Sequence, residues 1–249
     1  MKSLEFVDHV KFAASKPTLY VMGCIGAPLN AMNKLRYIQH SEFNQRPDRR
    51  TLIEQAEPDT FGFDCVCLIK AILWGWCADT FSAYGGAVYA SNGVPDVDAD
   101  TMFKQYTAHL GPWDTMIPGE MLWSPGHAGV YVGDGLAIEC TPIWDDGVQV
   151  TNVGNLHMAT RPDRPTRTWQ GHGRLEWVDY SDQDKPTFCG YTDALPNAWY
   201  SEAVKWCTDN GIMTGTAPGV FGIGQALTRE QAAVIAQRLY NLIVEDQPL

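Results

Sequence analysis

Cys65 stands directly after Asp64, at the head of a run from Cys65 to Trp76 that is almost wholly apolar. Asp is a strong helix N-cap, and the run is long enough for a buried helix of about three turns. A thiol at such a helix start meets the partial positive charge of unpaired N–H groups. That charge favours the thiolate, which is the attacking form. A cysteine nucleophile also needs a group that takes its proton and later returns it, and histidine is the usual one. Among six histidines, His127 has the most informative surroundings. It opens a segment, Gly126 to Thr141, that reads as two strands about a Gly133-Asp134-Gly135 turn.

Register decides what faces His127. A two-residue turn at Asp134-Gly135 pairs Val130 with Glu139 and puts Glu139 on the opposite face. A three-residue turn pairs Gly129 with Glu139, making His127 and Glu139 diagonal neighbours on one face. The second choice gathers Ala128, Val130, Val132, Leu136, Ile138 and Cys140 on an apolar face, whereas a one-residue slip mixes the two sets. The sequence therefore predicts a carboxylate beside the imidazole, which orients it and favours its charged form. From spacing alone, Cys65 as a small buried hydrophobe and His127–Glu139 as a plain hydrogen bond stay open beside catalysis. His9 reads as a helix-surface residue. His40, His109, His157 and His172 have no patterned neighbour, and Asp145 and Asp146 read as turn residues.

The elements that must carry these groups follow from periodicity. Leu4, Val7, Val10, Lys11 and Ala14 predict a first amphipathic helix. Residues 40–60 are polar, with Arg46, Arg49 and Arg50, and read as a solvated loop. Residues 85–100 are rich in Gly, Asn, Pro and Asp and read as loop. Gly119 to Val153 alternates in short runs, as antiparallel strands do. Residues 181–187 form a polar linker between a domain over 1–180 and a compact segment over 188–249.

The 249 residues carry a formal charge of −11. A nucleic-acid grip needs clustered Lys and Arg, so that class is excluded, as is a generic attraction to anionic polymers. Seven cysteines without a framework spacing read as reduced thiols of a chain made in the cytoplasm. Glu5, Asp8 and Lys11 interrupt the N-terminal apolar residues, so no signal-peptide core is expected there. No stretch long enough to span a membrane occurs. A wall-active protein of this kind needs another way out, such as release through phage-made membrane holes.

Phe63-Asp64-Cys65-Val66-Cys67-Leu68-Ile69, Gly119-Glu120-Met121-Leu122-Trp123 and the Gly126–Gly135 segment together resemble the NlpC-type cell-wall cysteine peptidases. The resemblance covers roughly residues 1–180. It implies an α+β, papain-like fold, with the cysteine on a helix packed against an antiparallel sheet that bears the histidine. It also implies hydrolysis of an amide bond in peptidoglycan with no cofactor and no metal. Cys65 would be the nucleophile, His127 the base and Glu139 the third polar residue, where His, Asn or Gln is more usual. The family's Tyr-x-x-Gly-Gly looks like Tyr20-Val21-Met22-Gly23-Cys24, which implies Tyr20 at the active site. Cys24 and Cys67 replace family glycines, leaving a disulfide or a zinc–thiolate site as alternatives.

The C-terminal segment predicts two helices. The first ends at Gly211, a fitting C-cap, and the second begins with a Thr228/Gln231 capping box. Its order of residues is similar to a single S-layer homology repeat. That resemblance implies a groove for an anionic secondary cell-wall polymer, with Arg229 as the cation and Asp193, Trp199, Gly215 and Thr216 at other groove positions. A guanidinium at a helix start is a fitting trap for a carboxylate. Such repeats usually come in threes, so one repeat implies weak binding or a homotrimer. The whole chain then reads as an endolysin-like peptidoglycan hydrolase with no membrane or nucleic-acid partner. The alternatives are an N-acetylmuramoyl-L-alanine amidase of the same fold and a non-catalytic wall-anchored protein.

Overall fold

The computed structural model describes residues 1–108, 110–156, 161–183, 188–194, 198–217 and 219–245. His109, His157 and residues 184–187 of the expected linker lie outside them. The chain divides into two units, Met1–Gln183 and Asp184–Leu249.

The first unit opens with α1 (Ser3–Ala14), whose Phe6, Val7, Val10 and Ala13 are buried, the face that the spacing predicts. Then come β1 (Thr18–Tyr20), β2 (Ile25–Pro28), α2 (Ala31–His40), α3 (Glu42–Gln45), α4 (Pro47–Gln55), β3 (Phe61–Phe63) and α5 (Cys65–Leu73). After a long loop follow α6 (Ala99–Tyr106), β4 (Thr107–Ala108), β5 (Met121–Ser124), β6 (His127–Gly133), β7 (Leu136–Thr141), β8 (Gly147–Val153), β9 (Thr166–Arg167) and β10 (Gly171–Leu175). β1, β3 and β2 form a small sheet. The other seven strands form the main sheet, in the order β4-β10-β5-β6-β7-β8-β9. The fold is thus α+β.

Every residue of α5 is buried. The helix packs against β6 and β7, in one cluster with Ala128, Val130, Val132, Leu136, Ile138 and Cys140. This is the apolar face that the alternation marks. The opposite face of the same strands forms a second cluster, with Tyr131, Ala137, Leu122 and Trp169. Burying both faces of β6 and β7 removes the freedom of register that a half-solvated hairpin keeps.

The turn itself combines the two alternatives. Gly129 pairs with Glu139, Val130 with Ile138 and Tyr131 with Ala137; an irregularity then shifts the pairing to Gly133 with Leu136. Asp134 and Gly135 form a two-residue turn with φ of 54° and 73°, the left-handed pair that a hairpin of this twist demands. A bulge after Tyr131 absorbs the extra residue.

Residues 40–60 are not a loop. Ser41 caps α3 through its side chain, and Pro47 takes the first turn of α4, where its missing N–H costs nothing. Arg49 is accordingly buried. It pairs with Asp146 at 2.5 Å and donates to the Tyr20 carbonyl, so it holds the end of β1 to the β7–β8 turn. Ser181–Gln183, expected as linker, belong to the first unit. Asp182 accepts from the Ser3 hydroxyl at 2.6 Å and the Leu4 N–H at 2.8 Å, at the start of α1. All seven cysteines are free thiols. Among the described residues no helix is long and apolar enough to cross a membrane.

The second unit contains α7 (Ser201–Asp209) and α8 (Arg229–Glu245). Gly211 follows α7 with φ of 66°, the left-handed residue that ends a helix. The Thr228 hydroxyl accepts from the Gln231 N–H at 3.2 Å, and the Gln231 side chain accepts from the Thr228 N–H at 2.9 Å, which completes the capping box.

Candidate active site

Asp64 fixes the start of α5. Its Oδ1 accepts from the Cys67 N–H at 2.7 Å and its Oδ2 from the Gly23 N–H at 2.8 Å. One carboxylate thus caps the helix and ties it to the β1–β2 turn. Gly23 has φ of 76°, and a Cβ there would lie 2.5 Å from the His40 ring, so this turn demands glycine.

Cys65 follows the cap and is buried. Its thiol donates to the Gly126 carbonyl at 3.8 Å, which places the sulfur against the residue preceding His127. Burial pushes the thiol up to about 12, and the Asp64 charge adds to the rise. Hydrogen bonds from the N–H groups of Ala128, Val66 and Cys65 pull the other way. The helix start was expected to favour a thiolate; burial and the neighbouring carboxylate outweigh it, and resting Cys65 is a thiol.

His127 and Glu139 share a face and are joined, Nε2 to Oε2, at 2.7 Å. Among the described residues that is the only hydrogen bond of the imidazole, so Nδ1 carries none and no hydrogen bond joins the ring to Cys65. The ring lies flat on Trp169, with centroids 5.5 Å apart and planes at 8°. Gly129 makes room for this stack, since a Cβ there would come within 2.7 Å of the Trp169 indole.

Glu139 is fully buried and fully occupied. Besides His127 it accepts from the Thr151 hydroxyl at 2.9 Å and from Arg167 Nε at 2.9 and 2.7 Å. Burial alone would raise its carboxyl. The hydrogen bonds and charges of His127 and Arg167 prevail and hold it below the usual carboxylate range. Arg167, Thr151 and Trp169 escape sequence reasoning. Arg167 reaches Glu139 because β9 runs parallel to β8 after a connection that no alternation marks.

Tyr20 ends β1, buried, with its hydroxyl 3.9 Å from Met22 Sδ. Burial, then the negative charge available to Cys65, raises its phenol far beyond physiological pH, so it is a neutral donor. Asp100 is another unforeseen contributor. Its Oδ1 accepts from Trp123 Nε1 at 2.8 Å and from the Gly126 N–H at 2.7 Å, which fixes the β5–β6 turn beside the sulfur. His172, to which the sequence gives no patterned neighbour, forms a second buried pair. Its Nδ1 lies 2.6 Å from Glu120 and its Nε2 2.9 Å from the Gly111 carbonyl.

In the second unit the expected groove residues separate. Gly215 and Thr216 line a groove of about 310 Å³ together with Glu230, Gln231 and Arg238. Asp193 spends its carboxylate on the N–H groups of Phe221, Gly222 and Ile223, at 2.8–2.9 Å, and so latches that turn. Arg229 and Trp199 are exposed and do not line the groove; Trp199 is 96% accessible. Arg238, on the opposite side of α8 from Arg229, donates to the Ile212 carbonyl at 3.1 Å and was not singled out by the sequence.

Residues 190–233 match the family model described as S-layer homology domain. Several solved structures resemble the chain, and two of them serve as examples. One is the P60 domain of an antigen from M. avium subspecies paratuberculosis, at 16% identity and a TM-score of 0.37, covering 72% of this chain and 96% of that one. The other is the peptidoglycan hydrolase RipB from Mycobacterium tuberculosis, at 16% identity and a TM-score of 0.37, covering 72% of this chain and 66% of that one. No curated protein matches the sequence.

Proposed function

We propose that this chain hydrolyses an amide bond of the peptidoglycan peptide through Cys65, His127 and Glu139, and that its S-layer homology domain holds it at the bacterial cell wall. One observation carries the reading. The Cys65 sulfur lies at a helix start against the strand that bears His127, and the far nitrogen of that imidazole is bound by a buried carboxylate. Because Nε2–H donates to Glu139, the lone pair of the neutral ring resides on the unbonded Nδ1.

The chemistry follows from those positions. Cys65 turns from the Gly126 carbonyl, and His127 Nδ1 takes the thiol proton as sulfur attacks the amide carbon. The oxyanion is met by the Cys65 N–H and the Tyr20 hydroxyl. His127 then returns the proton to the departing amine, leaving a thioester and a free amine. Water, deprotonated by the same nitrogen, releases the acid and restores the thiol. A resting thiol is consistent with His127 acting as general base. Exposed Val234, Tyr240, Ile243 and Val244 on α8 support a homotrimer that brings three repeats together on a secondary cell-wall polymer. The exposed Arg229 or the groove-lining Arg238 would supply its cation.

Digestion of purified walls tests the enzyme reading. Wild type releases fragments with a new free amine and Cys65→Ala releases none, while mass spectrometry of the fragments identifies the bond. Equal release by both proteins removes Cys65 as nucleophile, and release by neither leaves a wall-anchored binding protein. Light scattering tests the trimer.

A further inference from the structure

A cavity of about 510 Å³ lies against the first turn of α5, bordered by Gly23, Asp64, Val66 and Cys67, the residues around Cys65. That volume suits one or two residues of a bound peptide. Its other walls carry charge, and nearly all of that charge is already spent. Lys70 donates to Asp96 and to the Val97 carbonyl, and the second Asp96 oxygen receives the Tyr89 hydroxyl at 2.7 Å. Both Asp64 oxygens are taken by backbone N–H groups. Asp98 caps α6 through the Thr101 N–H at 2.7 Å.

Arg36 and His40 are left without a hydrogen-bonded acid among the described residues, with His40 within electrostatic reach of Asp96. They stand four residues apart on α2, hence on one side of it, and both line the cavity. The Arg36 guanidinium rests against the rings of Tyr37 and Tyr84 at 5.3 and 5.1 Å, and among the described residues its only hydrogen bond is to the Tyr84 hydroxyl at 2.8 Å. Among the described residues it has no carboxylate partner, in a chain with eleven more acids than bases. His40 makes no hydrogen bond among those residues; its ring meets Tyr37 edge-on. A guanidinium braced by two aromatic rings keeps its fork of N–H donors aligned, and that fork matches a carboxylate.

We propose that Arg36 and His40 bind a free carboxylate of the wall peptide while its scissile amide lies at Cys65, so that the protein distinguishes carboxylate from carboxamide forms of its substrate. The proposal rests on the amide-hydrolase reading and names the substrate class of that site. Wall peptides offer this group in two places, the α-carboxylate of a γ-linked glutamate and the peptide C-terminus.

Equilibrium binding to the full-length Cys65→Ala protein separates them. The probes are a γ-glutamyl wall tripeptide with both carboxylates free, the same peptide amidated at glutamate, and the same peptide amidated at its C-terminus. One amidated form binds about tenfold weaker or worse, the loss expected for a charge-assisted bond, and that form identifies the carboxylate. In Arg36→Gln/Cys65→Ala and in His40→Gln/Cys65→Ala the preference shrinks toward unity. Equal affinity for all three peptides, no binding of any, or a preference that survives Arg36→Gln overturns the proposal. Turnover by the Cys65 protein is read separately. Cleavage without carboxylate preference defeats this inference alone, whereas carboxylate-dependent binding without cleavage defeats the hydrolase reading alone.

Discussion

Replacing Arg167 with Met removes the permanent cation that Glu139 has among the described residues, while keeping most of the side-chain volume. Glu139 is wholly buried and the Arg167 side chain is 19% exposed, so the pair sits at the rim of the interior. Deleting one partner of a buried pair costs roughly 3–5 kcal/mol, and the partial exposure of Arg167 places the expected loss near the lower bound, about 3 kcal/mol. For a unit of this size each kcal/mol moves Tm by roughly 2–4 °C, so a fall of about 6–12 °C is expected at pH 7. The sign with pH is fixed by the same carboxyl. Held below its ordinary value in the folded state, Glu139 contributes stability that is present above the unfolded pKa and lost as pH falls through the folded one. Without Arg167 burial dominates, the folded carboxyl rises, and that contribution shrinks or reverses. Calorimetry of the full chain reads both effects. The decisive control is Arg167→Met/Glu139→Gln, which has no stranded charge and recovers part of the loss. A double variant that loses the sum of the two single losses would refute the account of Glu139 as a buried charge balanced by Arg167.

Other consequences are simpler to check. Cys65, a buried thiol raised to about 12, reacts with iodoacetamide at pH 8 far more slowly than exposed Cys77; peptide mapping that finds Cys65 labelled first contradicts the resting thiol. Asp100→Ala frees the Gly126 N–H and the Trp123 indole, and misplacing that turn lowers kcat on wall substrate on the order of tenfold, with KM little changed. His172 has its pKa raised, first by its hydrogen bond to Glu120. Its contribution is present in full below the unfolded value and is lost as pH rises through the folded one, so Tm of the first unit falls on the alkaline side; His172→Gln flattens that slope, and an unchanged slope refutes the assignment. Thr228→Ala removes half of the capping box and destabilises α8 by about 1 kcal/mol, read as a lower transition for the second unit.

The hairpin was legible in the sequence because one observable, alternation, encodes both of its packed faces. Moving the register by one residue would have buried Glu139 among the residues that pack on α5. The helix at Cys65 was legible for a similar reason, a cap followed by an unbroken apolar run. What stayed hidden was what depends on distant partners. Arg167 meets Glu139 28 residues later in the chain. Arg49 looked like part of a solvated basic patch until Asp146, 97 residues away, paired with it. The helices over 42–55 carry few apolar residues, so periodicity was silent there, although Ser41 and Pro47 were signals of helix starts. The thiol's protonation state was hidden too, since a helix end announces itself in sequence but the depth of the sulfur beneath the fold does not.

The β6–β7 hairpin has a practical consequence. Its left-handed corner is one thing and its ladder another, and the bulge after Tyr131 insulates the second from the first. Foreign residues inserted between Asp134 and Gly135 would lengthen the tip while β5 and β8 on either side keep the His127 and Glu139 rungs in place. The tip is therefore a natural splice point for a tag or an added wall-binding peptide, and it lies several rungs from the strand start that meets the Cys65 sulfur.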